Sequence, residues 1–432
     1  MLLLTVSAGA QYRDIQLQQL TRSETGAAFE EHILFLSSSM LEGRKAGSEG
    51  EKEAAVYVSS RLEEAGLDVL SGPEGDLFGI RQEDGDTLTS RNVMAFIKGY
   101  DSAVNDHYVV IGARLDNLGS LQYSVDGESR TRTYYGANGN ASGLAMLIEL
   151  GRKLSTNRVL LRRSVLLVAF GSSLESNAGA WYFIHRSFVD PSKIDAMVNL
   201  DMVGTGSNGF YAYTSANSDM DAVVSSLAET LQPVKPELVK IEPVRSDHCA
   251  FYDAEIPSVF FTTGMFPEYN SDKDTADIIQ YDEMDRELEY LYNFSVKLSN
   301  GPKPEFRPSE KPRRGLGADG VVSYSDCDYK PTFLGSSNPA TFLQKWVYVY
   351  LKYPEKAVYE GIQGKVLVDF IIDEKGKVGN VRVLKGAHPL LDDEAVRVVE
   401  ASPDWRPGRV RGEKVKTEMS IYVEFRLEKK KK

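Results

Sequence analysis

Five stretches in the first two-thirds of the chain are apolar almost without a break: NVMAFIKG, YVVIGARLD, SVLLVAFG, DAMVNLDMVG and PSVFFTTG. Runs of this kind predict strands buried on both faces, not the alternating strands of a half-exposed sheet. Helical spacing of apolar residues fills the gaps, as in ASGLAMLIELGRKL and AGAWYFIHRSF. Strand and helix in alternation predict an α/β fold, a sheet with helices on both faces. Chemistry in such sheets gathers at the carboxyl ends of the strands. The segment GSSLESNAG, which follows SVLLVAFG, falls at such an end.

The pattern breaks at NGPKPEFRPSEKPRRGLGADG, where prolines and charges prevent a packed core. A smaller region follows. GKVLVDFIIDEKGKVGNVRVLKG reads as two strands about a Lys-Gly turn. LLDDEAVRVVEAS reads as a helix with acids in its first turn, where the helix dipole favours them. In KTEMSIYVEFRL, Met419, Ile421, Val423, Phe425 and Leu427 point one way and Glu418, Ser420, Tyr422, Glu424 and Arg426 the other, as on a strand with one face exposed. The expected divisions are 1–10 a leader remnant, 25–300 a large domain, 301–327 a linker, 328–427 a small domain and 428–432 a basic tail.

Charge sharpens this division. The whole chain carries −12, but the part from Asp319 onward carries +3, leaving the head strongly acidic. An acidic head argues against nucleic acid as a partner. No apolar run approaches the roughly 20 residues of a membrane-spanning helix. MLLLTVSAGAQ ends in Ala8-Gly9-Ala10, similar to the end of a secretory leader, and implies export. Cys249 and Cys327 are far apart and form no metal or redox spacing; they read as two thiols, or as one disulfide in an exported protein.

Several blocks of the head, in order, resemble the co-catalytic zinc aminopeptidases, the family (peptidase family twenty-eight) that includes the glutaminyl cyclases. They are LEGRKAGSEGEKEAAVYVSSRLEEAGL, VVIGARLDNLG, GANGNASGLAMLIEL, RSVLLVAFGSSLESNAGAWYF, MVNLDMVG and SDHCAFYDAEIPSVFFTTGMFPEYNSDKDTAD. The resemblance implies a zinc-exopeptidase-like mixed sheet and a paired zinc site, each ion needing about three protein ligands. Carried over position by position, the family's ligands fall on Arg114, Asn138, Leu174, Asp201 and Asn270, and its general base on Ser173. Only Asp201 keeps a ligand side chain. Arginine has no lone pair to offer and repels a cation. Leucine has no donor, and serine cannot act as a carboxylate base. Glu175, two positions on from Ser173, does not replace it. The expectation is therefore no metal, no cofactor and no catalytic residue. A vestigial pocket remains at Arg114, Asp116, Asn138, Asp201, Asp247, His248 and Asn270. Arg114 is expected to form a two-pronged pair with Asp116 or Asp201, with Leu174 capping the vacated space. Asp116, Asn140, Ser142 and Asp201 also admit a purely structural reading, and His248 either a structural or a pocket role.

The tail element YPEKAVYEGIQGKVLVDFIIDEKGKVGNVRVLKGAHPLLDDEAVRVVEASPDWRPG resembles the C-terminal domain of TonB-type energy transducers. The resemblance implies a small α+β domain, a periplasmic location in a Gram-negative bacterium, and binding of an extended receptor segment at a sheet edge. The candidate edge carries Tyr422, Glu424 and Arg426. The function expected is a periplasmic, non-catalytic binding protein. Its tail would engage an outer-membrane TonB-dependent receptor or another envelope protein, and its head a peptide. An active zinc aminopeptidase with an atypical site, and a scaffold without ligand, are the alternatives.

Overall fold

The computed structural model describes residues 23–81, 86–125, 128–174, 177–187, 190–240, 242, 244–308, 321–324, 327, 329–410 and 413–427. The leader-like residues 1–10, Glu175, residues 309–320, 325 and 326 of the expected linker, and the basic tail 428–432 lie outside them. The chain divides into two compact units. Among the described residues, the first holds those within 23–118, 135–238 and 246–307, and the second those within 119–134, 239–245 and 308–427.

In the first unit a nine-stranded mixed sheet has the order β1-β3-β7-β4-β8-β11-β9-β10, with β2 paired to β3. The strands are β1 (Asp68–Val69), β2 (Asp76–Arg81), β3 (Thr87–Ile97), β4 (Tyr108–Arg114), β7 (Ser164–Phe170), β8 (Ile194–Leu200), β9 (Tyr211–Tyr213), β10 (Glu237–Val239) and β11 (Ser258–Thr262). The five apolar runs are the five consecutive central strands β3, β7, β4, β8 and β11, which explains why they show no alternation. β4 runs parallel to both β7 and β8, and β8 parallel to β11. Their carboxyl ends therefore converge on one edge of the sheet.

Each face of the sheet has its own core. On one side Val109, Ile111, Leu167 and Val198 pack with the helices Glu24–Leu36, Glu49–Glu64, Ser142–Thr156 and Tyr281–Asn300. On the other, Val110, Leu166, Phe170 and Met197 pack with Phe183, Ile184 and Phe251. The helix Glu49–Glu64 starts where the Ser48 hydroxyl accepts the Glu51 N–H, with Glu49 and Glu51 in the first turn.

The second unit has a five-stranded sheet of order β12-β16-β13-β14, with β15 also paired to β16. Its strands are β12 (Val321–Ser323), β13 (Gly364–Ile372), β14 (Val378–Lys385), β15 (Gly408–Val410) and β16 (Glu413–Phe425). The unit also contains the hairpin β5 (Gly119–Val125) and β6 (Glu128–Tyr134). The β13–β14 turn is built by Asp373, whose carboxylate accepts the N–H groups of Lys375 and Lys377. Gly376 sits there at φ 92°, and a Cβ would meet the Trp405 carbonyl oxygen at 1.8 Å, so no other residue fits. The helix Pro389–Glu400 is capped by the His388 ring nitrogen, which accepts the Leu390 N–H. Met419, Ile421, Val423 and Phe425 are buried, as the alternation predicted. β12 lies inside the span expected to be linker; it pairs in parallel with Lys416–Glu418.

Candidate functional site: a buried ionic centre

Four loops leave the carboxyl ends of β4, β7, β8 and β11, and a network of buried polar side chains ties them together. At its middle is Arg114, the last residue of β4. Its Nε donates to Asp201 Oδ2 at 3.4 Å and its Nη2 to Asp201 Oδ1 at 3.2 Å. Arg114 and Asp201 are each 3% exposed. The expected two-pronged pair therefore forms, and its partner is Asp201, just beyond β8. Asp201 also accepts the Ser246 hydroxyl at 2.8 Å, and Ser246 in turn accepts the Asn199 amide. Burial works against the charge on Arg114, but the carboxylates around it, Asp201 foremost, hold the guanidinium protonated above its usual range.

Asp116 takes a different part. Its carboxylate accepts the main-chain N–H groups of Ser173 at 2.7 Å and Leu174 at 3.3 Å. It thus pins the loop after β7, where Ser172 adopts φ 50°. Burial raises its pKa to about 6 against the pull of Arg114 and these two N–H groups.

Ser173, at the family's base position, lies with its hydroxyl 2.8 and 2.9 Å from the two oxygens of Asp247. Burial pushes Asp247 up to about 8; the Ser173 bond opposes the shift, and nearby Asp201 and Asp116 reinforce it. The pair is a hydroxyl facing an acid that is mostly protonated at neutral pH, not a carboxylate base beside a metal-bound water. Leu174 holds the loop through its main chain, but its side chain is turned outward and 39% exposed. It does not cap a vacated space.

Asn138 is buried and faces away from Arg114. Its side-chain oxygen accepts the Gly204 N–H at 2.8 Å and the Ser142 hydroxyl at 3.0 Å, and its amide nitrogen donates to Thr205. The next position points the other way: a Cβ on Gly139 would lie 3.6 Å from Arg114 Nη2 and 3.3 Å from Asp274 Oδ2. The direction toward Arg114 thus belongs to position 139, where this chain has no side chain at all. Asn140 and Ser142 are structural as well. Asn140 accepts the Gly143 and Met202 N–H groups, and the Ser142 hydroxyl donates to the Asn138 carbonyl. Asn270 sits half-buried at φ 55° in the loop after β11. Among the described residues no hydrogen bond joins it to Arg114 or Asp201. His248 lies flat on Phe260, ring centroids 4.8 Å apart, with Tyr213 against it edge-on. That packing favours the structural reading of this histidine.

Two members of the centre were not singled out from the sequence. Arg44, in the quoted block LEGRKAGS, is fully buried and donates to the carbonyls of Leu36, Leu115, Tyr135 and Gly136. Burial, with Arg114 nearby, lowers its pKa to about 10. Asp274, in the quoted block SDKDTAD, accepts the N–H groups of Asn138 at 2.7 Å and Gly139 at 3.0 Å. Burial raises it to about 6. For Arg44 the signal was a charged residue in a glycine-bearing turn; Asp274 stands among other charges in SDKDTAD and carried no such signal.

The donor set does not fit a pair of zinc ions. Of the side chains that would hold them, the one carboxylate, Asp201, is engaged on both oxygens by a guanidinium. The other ligand positions hold that guanidinium, an amide turned away at Asn138, an outward leucine and Asn270, and the base position holds a serine bound to an acid. Two ions need about six protein ligands, shared ones counted twice.

The comparisons agree with the architecture. Residues 92–295 match the sequence model of Peptidase family M28, and residues 349–427 match that of the Gram-negative bacterial TonB protein C-terminal. The chain therefore joins a region matching Peptidase family M28 to a region matching the TonB C-terminal. Among curated proteins it is 24% identical over 219 residues to Aminopeptidase YwaD of Bacillus subtilis (strain 168), covering 48% of each chain. It thus spans about half the length of that relative. It is 27% identical over 255 residues to the uncharacterized protein YfbL of Escherichia coli (strain K12), covering 48% of this chain and 76% of the relative. Similar solved structures include the aminopeptidase from Aneurinibacillus sp. strain AM-1, with TM-score 0.49, 18% identity, and coverage of 67% of this chain and 98% of that one. Another is glutaminyl cyclase from Porphyromonas gingivalis, with TM-score 0.48, 18% identity, and coverage of 64% and 99%. Among the described residues no helix is long and apolar enough to cross a membrane.

Proposed function

We propose that this chain is a non-catalytic binding protein of the Gram-negative periplasm. Its aminopeptidase-type unit has exchanged its metal centre for an ionic one, and its TonB-type unit engages an outer-membrane receptor or another envelope protein. The observation that carries the first half is the Arg114–Asp201 pair: a fixed cation occupies both oxygens of the one ligand carboxylate retained. The second half is supported by β16. Its inner side pairs with β13 from Thr417 to Phe425. Its outer side is covered by β12 at Lys416–Glu418, and β15 pairs with the start of the strand at Glu413–Val415. Among the described residues no strand covers Ser420 to Glu424, and Tyr422 is 50% exposed. An extended peptide can add there as a further strand, using main-chain groups for affinity and side-chain alternation for specificity.

Hydrolysis of leucine p-nitroanilide, with zinc supplied and then chelated, tests the first half. The reading expects no rate above the uncatalysed background in either condition. A zinc-dependent, chelator-sensitive rate would establish the chain as a working aminopeptidase. A scaffold without ligand remains the second reading, favoured by the near-complete burial of Arg114, Asp201 and Asp247.

A further inference from the structure

The open stretch of β16 is not entirely bare. The Glu424 N–H donates to the hydroxyl of Tyr348 at 3.3 Å. That bond fixes the direction of the Glu424 N–H: outward, away from β13. Strand alternation then turns the main-chain groups of Ser420 and Tyr422 outward too, and those of Ile421, Val423 and Phe425 toward β13. The outward row is thus interrupted at one end by a side chain.

The backbone carrying Tyr348 is held from behind by the helix Pro389–Glu400. The Trp346 indole donates to the Val398 carbonyl at 2.9 Å, Arg397 donates to the Tyr350 carbonyl at 3.0 Å, and Glu394 accepts the Lys352 N–H. Trp346 and Tyr350 also pack ring to ring at 4.2 Å. Tyr348 itself is among the exposed large side chains. With that exposure its ring has solvent beside it into which to rotate, while the bonds to Tyr350 and Lys352 hold the following main chain.

We infer that Tyr348 is a removable stop on the partner-binding edge: its hydroxyl occupies the Glu424 N–H, guards the edge against pairing, and gives way when an extended peptide pairs through Glu424. The inference rests on the strand-addition reading above. The occupant is a single extended peptide segment, whose carbonyl replaces the Tyr348 oxygen on the Glu424 N–H. Such a stop follows from the hazard of any open strand edge, which proteins blunt to avoid edge-to-edge association.

The test compares wild type with Tyr348→Phe, which removes the acceptor and keeps the ring. The probe is the acetylated, amidated peptide KTVTVTVTK. Affinity is read by calorimetry, and amide hydrogen exchange is read at Ser420–Glu424 with and without probe. The expected result is binding about five-fold tighter in the variant, the worth of one hydrogen bond no longer displaced. The probe should also protect the outward amides of Ser420, Tyr422 and Glu424 in both proteins, and Glu424 should exchange faster in the unbound variant. Protection in both proteins with equal or weaker binding by the variant overturns the stop and leaves strand addition standing. No protection of these amides in either protein overturns strand addition, and the stop with it.

Discussion

The two units manage polar groups in opposite ways. In the first, the buried charged groups at the strand ends are tied inward. Arg44 donates to four carbonyls, Asp116 and Asp274 each accept two main-chain N–H groups, and Arg114 closes on Asp201. In the second, a stretch of main chain in the middle of a well-packed sheet faces outward, with one phenol resting on it. A centre that satisfies itself has little left with which to bind or to react. An edge that does not is available to a partner. On the proposed reading, the difference would put recognition in the smaller unit.

The largest effect should come from splitting the buried pair. Arg114→Ala leaves Asp201 as an uncompensated buried carboxylate beside Asp116 and Asp247, and should destabilise the first unit by about 3–5 kcal/mol in denaturant unfolding. The double variant Arg114→Ala/Asp201→Ala should recover part of that loss. Equal loss in single and double variants would mean that the two residues are not coupled.

Next comes pH. Burial raises Asp247 to about 8, so the folded chain keeps a proton that the unfolded chain releases near pH 4. Stability from this group is therefore fully present at acid pH and falls as pH rises toward 8, by up to about 1.4 kcal/mol per pH unit. Asp116 and Asp274, both raised to about 6, act in the same direction. Asp247→Asn should flatten the decline and be more stable than wild type at pH 8. A decline of unchanged steepness would show that Asp247 is already ionised.

In the second unit the effects on stability should be smaller and those on binding larger. Tyr422→Pro removes an outward N–H that the sheet does not use. Edge positions tolerate proline, so unfolding free energy should change by about 1 kcal/mol or less while capture of an extended probe peptide is lost. Unimpaired capture would place the binding surface elsewhere. Smallest of all, Glu424→Gln should leave stability within about 0.5 kcal/mol, because only the Glu424 main chain is used by Tyr348.

The five central strands were legible because burial on both faces leaves a continuous apolar run, a signal that needs no knowledge of neighbours. The alternation in β16 was legible for the complementary reason. The Arg114–Asp201 pair was also within reach, since a guanidinium at a strand end must find an acid. Less legible were facts set by loop direction. Whether position 138 or 139 faces Arg114 depends on the main-chain path through a glycine-bearing turn, and only the structure shows the amide of Asn138 turned to Gly204. Asp274 caps that same turn from more than a hundred residues away, a contact that no local pattern encodes. β12 was hidden because three residues next to a proline-rich stretch carry no periodicity. The partial covering of β16 by β12 and β15 was hidden with it.

Whether the ionic centre stands in place of a dinuclear metal site is decided by zinc stoichiometry. After equilibration with excess zinc and removal of loosely held ion, no zinc whose retention depends on Asp201 should stay with the chain. Two zinc ions per chain, lost on Asp201→Ala, would mean that the metal centre is intact.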